Sequence, residues 1–396
     1  MAIYLDHAAT TAMSAKAIAV YSQHAKSYGN AASLHGFGRQ ARAVLDDSRE
    51  SIATDLGAHP SEIVFTSGGT LSNNLAIKGA FWAQRDHGRS IVLTSAVEHH
   101  AVLEPAQWLA KDQGAEHVVV PVDESGFVAL EFVRCFLAEH HERVAVLSVM
   151  WANNEVGTVQ PIAELAALAK EFGIFFHVDA VQAVGQLPVC FADSGIDALS
   201  VSAHKVGGPV GVGALLLSRN ASLTPVIHGG NQERLVHSGT VQVAGAAAFA
   251  AALGEVNSVL STRIENLQSL RNRLISGILE QVPGARLSGP NPLIESVPGV
   301  STDLRLPNNV HFTFSGASGE TLLFLLDQAG FSCSTGSACQ AGVPQISHVL
   351  DAMQVPGEFI AGALRFSLGS QNTVSDIDAL VSVLPQIVTQ ARKVFS

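Results

Sequence analysis

Ala198-Leu199-Ser200-Val201-Ser202-Ala203-His204-Lys205-Val206-Gly207-Gly208-Pro209-Val210-Gly211-Val212-Gly213 is the stretch on which the fold turns. Ala198 to Ser202 reads as a short buried strand, closed by small residues, a lysine and glycines that let backbone approach a neighbour closely. Upstream, Ile174 to Val178 is another apolar run, delivering Asp179 at its carboxyl end. Outward from these two, Glu62 to Thr66, Ser90 to Thr94, Val118 to Val122, Val144 to Val149 and Ala214 to Leu217 read as further strands. Between them lie helix-period segments: Ala41, Val44, Leu45, Ser48, Ile52 and Leu56, then Leu71 to Phe81. Alternation of this kind predicts an α/β fold with a mostly parallel, seven-stranded sheet. After Gly254 the pattern changes to a long amphipathic helix (Ile264, Leu267, Leu270, Leu274, Ile278), alternating strands at Val310 to Phe314 and Leu364 to Leu368, and a last helix interrupted by Pro385. That predicts a large domain over residues 16–254 and a smaller α+β domain from residues 1–15 and 255–396, without repeats or a long linker.

In open parallel sheets ligands bind beyond the carboxyl ends of the strands, where Asp179 and Lys205 both fall. A lysine there suits a Schiff-base amine, and a carboxylate can hold a pyridine nitrogen protonated, which together match pyridoxal phosphate. The same two residues also occur as a plain ion pair, and spacing alone leaves both readings open. A phosphate site favours the first: Ile63 to Thr66 runs into Ser67-Gly68-Gly69-Thr70 and a helix start, where free N–H groups and the helix dipole welcome an anion. An ordinary capped turn is the competing reading. Thr70, Ser202 and His204 add possible phosphate donors, and His99, after its own strand, is placed to stack on a ring or move a proton. Cys339 sits in Gly336-Ser337-Ala338-Cys339-Gln340-Ala341-Gly342, a run of small residues that predicts an exposed loop thiol. Cys135, Cys190 and Cys333 stand in apolar surroundings and read as small buried hydrophobes.

Composition narrows the rest. The 396 residues are 14% charged and 47% hydrophobic, so an unusual share of surface is hidden, most simply in an oligomer. A net charge of −11 without a basic block speaks against nucleic acid or an anionic membrane. Asp6 interrupts the place where a secretory apolar stretch would run, and the Ala-rich Val241 to Leu253 is too short to span a bilayer, so a cytoplasmic location is expected. Four cysteines without zinc spacing suggest a reducing compartment, no disulfide framework and no metal site.

The assembled pattern resembles the cysteine desulfurases of the NifS/IscS type, in the class-V aminotransferase group of fold-type I pyridoxal phosphate enzymes. The resemblance runs nearly end to end, through Tyr4-Leu-Asp-His-Ala-Ala-Thr-Thr11, Gly29-Asn-Ala-Ala-Ser-Leu-His35, Phe65-Thr-Ser-Gly-Gly-Thr70, Asn153-Asn-Glu-Val-Gly157, His177-Val-Asp-Ala-Val-Gln182, Ser202-Ala-His-Lys205, Ser238-Gly-Thr240, Gly336-Ser-Ala-Cys339 and Arg365-Phe-Ser-Leu-Gly369. It implies that Lys205 is the Schiff-base lysine, that Asp179 pairs with the ring nitrogen and Gln182 with the ring hydroxyl, and that His99 stacks on the ring. By the same resemblance Gly69, Thr70, Ser202 and His204 hold the phosphate, Thr240 reaches the phosphate of the neighbouring subunit of a homodimer, and Asn154 lies over the cofactor. Asn30, Asn154 and Arg365 would bind the substrate, L-cysteine, with the Arg365 guanidinium on its carboxylate.

The implied reaction converts L-cysteine to L-alanine and leaves the sulfur as a persulfide on Cys339, for delivery to an acceptor such as an iron-sulfur scaffold or a tRNA-thiolating enzyme. The stretch from Cys339 (the loop runs about 332–345) to His348 matches the longer loop of the iron-sulfur-supplying branch. Four positions depart from the family pattern: Leu71 for a usual Glu, Ala31 for Pro, His237 for Arg and Trp151 for His. Two other readings remain at this point. One is a pyridoxal phosphate lyase or aminotransferase acting on another amino acid; the other is a non-catalytic homologue serving as a scaffold.

Overall fold

The structure is a computed structural model and describes residues 2–294, 304–336 and 346–395. The chain opens with a short strand β1 (Ile3–Tyr4) and helices α1 (Ala15–His24) and α2 (Gly36–Asp55). Strands and helices then alternate: β2 (Ile63–Thr66), α3 (Gly69–Arg85), β3 (Ile91–Ser95), α4 (His100–Asp112), β4 (Glu116–Val120), α5 (Leu130–His140), β5 (Val144–Ser148), α6 (Ile162–Phe172), β6 (Phe176–Asp179), α7 (Phe191–Ser194), β7 (Ala198–Ser202) and β8 (Gly213–Leu217). These strands form one seven-stranded sheet in the order β2-β8-β7-β6-β5-β3-β4. Only β8 runs against its neighbours, so six strands point their carboxyl ends to one edge.

Both faces of the sheet are covered, which is why its strands are continuous apolar runs. Side-chain alternation divides each run between two cores: Ile63, Phe65, Leu199, Val201 and Leu216 join the core under α2, α5, α6 and α8 (Val243–Ser258), while Val64, Ala198, Leu215 and Leu217 join the one under α3 and α4. The Ala-rich stretch is the buried helix α8, and among the described residues no single helix is long and apolar enough to cross a membrane. The strand expected at Val118 to Val122 lies two residues earlier, at Glu116–Val120. Pro121 has no N–H to donate, and the edge ladder against β3 stops before it.

A separate core gathers α9 (Leu260–Gln281), β9 (Ala285–Leu287), β10 (Asn309–Phe314), α10 (Gly319–Gln328), β11 (Phe331–Ser332), β12 (Ala363–Ser367) and α13 (Val374–Phe395), with Leu5 from the N-terminal segment. β12, β10 and β9 form an antiparallel sheet, and β1 pairs in parallel with β11. Two short helices, α11 (His348–Ala352) and α12 (Gly357–Ile360), instead send Val349, Leu350 and Ile360 into the large core. Pro385 does not interrupt the last helix, which continues to Phe395. Proline inside a helix costs about 3 kcal/mol, but Leu384, Ile387, Val388 and Ala391 are buried on both sides of it, at about 1.5–3 kcal/mol for each large apolar side chain.

Candidate active site

Asp179 and Lys205 meet at the carboxyl edge because β6 and β7 are parallel neighbours. Asp179 is buried; its Oδ2 accepts from Asn73 Nδ2 at 2.7 Å and its Oδ1 from the Val181 N–H at 3.0 Å. Lys205 Nζ donates to the carbonyls of Ala8 (2.5 Å) and Ala9 (2.7 Å) in the N-terminal segment. Burial above all, then the Arg365 charge, lowers its pKa to about 8, against the opposing pull of Asp179 and Asp6. About a tenth of this amine is therefore unprotonated at pH 7, far more than of an ordinary lysine, and it is the unprotonated form that acts as a nucleophile. Beneath the pair, His177 Nδ1 meets Ser148 Oγ (2.8 Å) and Nε2 meets Ser200 Oγ (2.9 Å). This fully buried imidazole, whose pKa is lowered to about 3 by desolvation, is neutral and ties β5, β6 and β7 together.

The glycine turn forms the expected cradle. Gly68 caps α3 with no side-chain bond, and its φ of 144° is one that other residues rarely adopt. A Cβ on Gly69 would come within 2.7 Å of Val181 Cγ2, and one on Gly213 within 2.7 Å of Gly68 Cα, so bare backbone is what lets the turn close on β6 and β8. A cavity of about 400 Å³ collects Gly69, Thr70, Ser202 and His204 at this end, with Asp179, Lys205, Gln182, His99, Asn154 and Arg365 along its walls. Gln182 Nε2 donates to the Ala8 carbonyl at 2.9 Å. His204 Nδ1 lies 3.1 Å from Thr10 Oγ1, and desolvation with the Lys205 charge lowers its pKa to about 4. His99 begins α4 and accepts the Ala101 N–H on Nδ1 at 3.0 Å, which leaves Nε2 for the cavity; burial lowers its pKa, so the imidazole is neutral.

Arg365, on β12, closes the cavity from the smaller core. It is 4% exposed, paired with Asp6 Oδ1 (2.8 Å), and donates to the Asn154 carbonyl (2.8 Å), while its Nε has no partner among the described residues. Ser334 and Gly336, in the first part of the cysteine loop, also line the cavity; Cys339 lies outside the described residues. Two expected site residues do not reach the cavity within one chain. Thr240 is exposed, and Asn30 spends its side-chain oxygen on the Ala32 N–H at 2.9 Å.

Asn73, Glu98, Asp6 and Met150 were not singled out by motif. The signal for Asn73 is a polar residue one helical turn beyond Thr70 on the buried face of α3. Glu98 is wholly buried beside His99: its Oε1 accepts from Ser95 Oγ (2.5 Å) and the Met150 N–H (2.7 Å), and desolvation raises its pKa to about 8.

The other cysteines differ from expectation in part. Cys135 is exposed, because α5 buries Val133 and Leu137, four apart, and position 135 faces away from that stripe. Cys190 is half-buried, its Sγ 3.1 Å from Asp193 Oδ2. Cys333 packs at the edge of the smaller core, and burial pushes its thiol up to about 12, so it stays protonated. Of the unusual positions, Leu71 packs against the Val64 and Leu75 core, and Trp151 against the larger one, with its N–H on the Asp179 carbonyl at 2.8 Å.

The class-V aminotransferase family matches residues 3–380. An IscS-like cysteine desulfurase of Mycobacterium tuberculosis is 49% identical over 393 residues, 98% of this chain and 97% of that protein. The cysteine desulfurase IscS of Dictyoglomus turgidum is 42% identical over 393 residues, 99% and 96% of the two chains. Among solved structures, a NifS-like protein superposes with a TM-score of 0.88 at 34% identity, covering 98% of this chain and all of the other. SspA in complex with cysteine gives 0.78 at 30% identity over 92% of this chain and 98% of the other. With an aspartate and a lysine at the carboxyl ends of adjacent parallel strands, an uncapped glycine turn facing them and relatives of this likeness over the whole length, the chain belongs to the class-V aminotransferase family, in its IscS/NifS cysteine desulfurase branch.

Proposed function

We propose that this protein is a pyridoxal phosphate-dependent cysteine desulfurase, which takes the sulfur of L-cysteine onto Cys339, releases L-alanine and passes the sulfur to an acceptor protein. The observation that carries the reading is one cavity holding a lysine with its pKa lowered to about 8, a buried carboxylate, a neutral imidazole, an uncapped helix N-terminus and a buried arginine.

The residues present fit pyridoxal 5'-phosphate. The N-terminus of α3 has bare N–H groups and no side-chain cap, as a phosphate needs. Asp179 is the carboxylate of the cavity, aimed by Asn73 and the Val181 N–H, and suits a pyridinium nitrogen. Gly69, Thr70, Ser202 and His204 would hold the phosphate, Gln182 the ring hydroxyl and His99 the ring face. When bound, the group supplies an electron sink for the pair left at Cα once its proton is removed. Lys205 Nζ, unprotonated in part at neutral pH, takes that proton. Arg365, with Asn154 beside it, grips the substrate carboxylate, which shares the guanidinium with Asp6. His99 Nε2 accepts or returns a proton on the sulfur side; the Cys339 thiolate attacks the substrate sulfur, the S–S bond of a persulfide on Cys339 forms as the Cβ–S bond breaks, and the pair from that bond stays with the three-carbon remainder, which takes up protons and leaves as alanine.

Thr240, exposed and away from the cavity in one chain, reaches the phosphate of the neighbouring subunit in a homodimer. The low charge content supports that assembly. The protein works in the cytoplasm, and an iron-sulfur scaffold or a tRNA-thiolating enzyme is the acceptor. The test is an absorption spectrum, then L-cysteine with dithiothreitol and assays of sulfide and alanine, beside Lys205→Ala and Cys339→Ala. A visible band lost in Lys205→Ala, with sulfide lost but the band kept in Cys339→Ala, is the expected result. A band without sulfide overturns the desulfurase reading, and no band with added cofactor overturns the cofactor assignment.

A further inference from the structure

We propose that a second ligand site, for a small organic carboxylate with an apolar body, lies in the cleft behind Lys205 and is built around Arg263. The cleft encloses about 700 Å³, against about 400 Å³ for the active-site cavity, and Lys205 lines both. Its walls are the N-terminal segment from Thr11 to Ser14, the start of α9 and the turn 369–374.

Arg263 projects from α9 and is half-buried. Its Nε donates to the Gly185 carbonyl at 3.1 Å, and among the described residues no carboxylate lies within 4.0 Å of it. Burial lowers its pKa with no carboxylate opposing the shift, and its charge adds to the burial that lowers the His7 pKa to about 4. A guanidinium withdrawn from water calls for an anion, and its free edge presents two parallel N–H donors, the fork that matches a carboxylate.

The other charged groups in the cleft are engaged. Lys205 Nζ donates to the Ala8 and Ala9 carbonyls on the active-site side, and Glu255 Oε2 accepts from Ser14 Oγ at 2.6 Å. Around Arg263 the lining is mixed, with Met13, Val256, Leu267 and Leu270 supplying apolar surface and Thr262, Asn266 and Gln371 polar groups. One cation without a carboxylate partner, with apolar surface beside it and the Glu255 carboxylate elsewhere in the cleft, fits a monocarboxylate with a hydrocarbon body rather than a polyanion. The inference stands on Arg263 and the cleft, independently of the desulfurase chemistry.

The test is calorimetric titration of the cofactor-loaded protein with hexanoate and with hexanamide, which keeps the shape and lacks the charge. Hexanoate is expected to bind at least tenfold more tightly than hexanamide. Arg263→Gln should lose that preference, Arg263→Lys should retain part of it, and Arg365→Gln should leave it in place. Equal binding of the two probes to the unaltered protein overturns the proposal, as does full hexanoate binding by Arg263→Gln. Loss of binding in Arg365→Gln would place the carboxylate in the active site and overturn it too. The comparison of probes on the unaltered protein holds even where a variant fails to fold.

Discussion

Replacing Asn73 by Asp tests whether the Asp179 carboxylate is held as a single buried anion. Asn73 Nδ2 now donates to Asp179 Oδ2 at 2.7 Å, with both residues buried. Two unit charges at that separation repel by about 6 kcal/mol at an effective dielectric constant of about 20. Keeping a proton on an ordinary carboxyl at pH 7 costs about 4 kcal/mol, at about 1.4 kcal/mol per pH unit. The second course is cheaper, so Asn73→Asp holds one proton between two carboxyls. The folded variant then binds more protons than its unfolded chain between about pH 4 and 7, and its stability falls as pH rises through that window. Asn73→Ala is the control: it loses a hydrogen bond to a charged group, about 1.5–3 kcal/mol, and adds no titration of its own. Denaturant unfolding of the cofactor-free proteins at pH 5, 6, 7 and 8 should show a deficit of about 4 kcal/mol for Asn73→Asp at pH 7 that shrinks towards pH 5, with a flat deficit for Asn73→Ala. Cofactor affinity should drop at least tenfold in Asn73→Asp, because the charge facing the ring nitrogen is spread over two carboxyls. Parallel pH profiles for the two variants would refute the reasoning.

Other changes probe the remaining groups of the site. Lys205→Met should stabilise the cofactor-free protein by up to about 3 kcal/mol at pH 7, since folding lowers this amine's pKa from 10.5 to about 8. That penalty is complete below pH 8 and is lost as pH rises to 10.5, so the gain measured by thermal unfolding should be gone near pH 10.5. Glu98→Gln should stabilise likewise by up to about 3 kcal/mol at pH 7, because burial raises the carboxyl from 4.5 to about 8 and its ionisation opposes folding from pH 4.5 upwards. Its Oε1 still accepts from Ser95 and Met150; an unchanged stability profile would mean that Glu98 is already ionised. Gly68→Ala, at a φ of 144°, should cost about 1–3 kcal/mol in chemical denaturation and weaken cofactor binding at least tenfold by fluorescence titration; binding equal to the parent's would remove the turn from the phosphate site.

The sheet and half the site were legible in sequence for one reason: a strand buried on both faces is an unbroken apolar run, and such runs end where ligands bind. Asp179, Lys205 and Gly68-Gly69 could be placed from those ends alone. The smaller part of the site was not, because its partners are set by pairing across the whole chain. Asp6 and Arg365 stand at opposite ends of the sequence and meet because β1 joins β11 while Asp6 bridges to Ser367, the last residue of β12. In the sequence Glu98 is an acid beside a histidine with no motif of its own, and only its complete burial marks it as a group that folding keeps protonated. Cys135 shows the reverse error, since an apolar neighbourhood in sequence is not one in space when a helix buries positions four apart and turns the residue between them outward. Asn30 and Thr240 carry the same lesson one level up. Their motifs carry the family resemblance as that of Asp179 does, with departures beside them at Ala31 and His237, yet neither residue lines the cavity that holds Asp179. A motif names the chemistry a residue can perform, and the fold decides for which site.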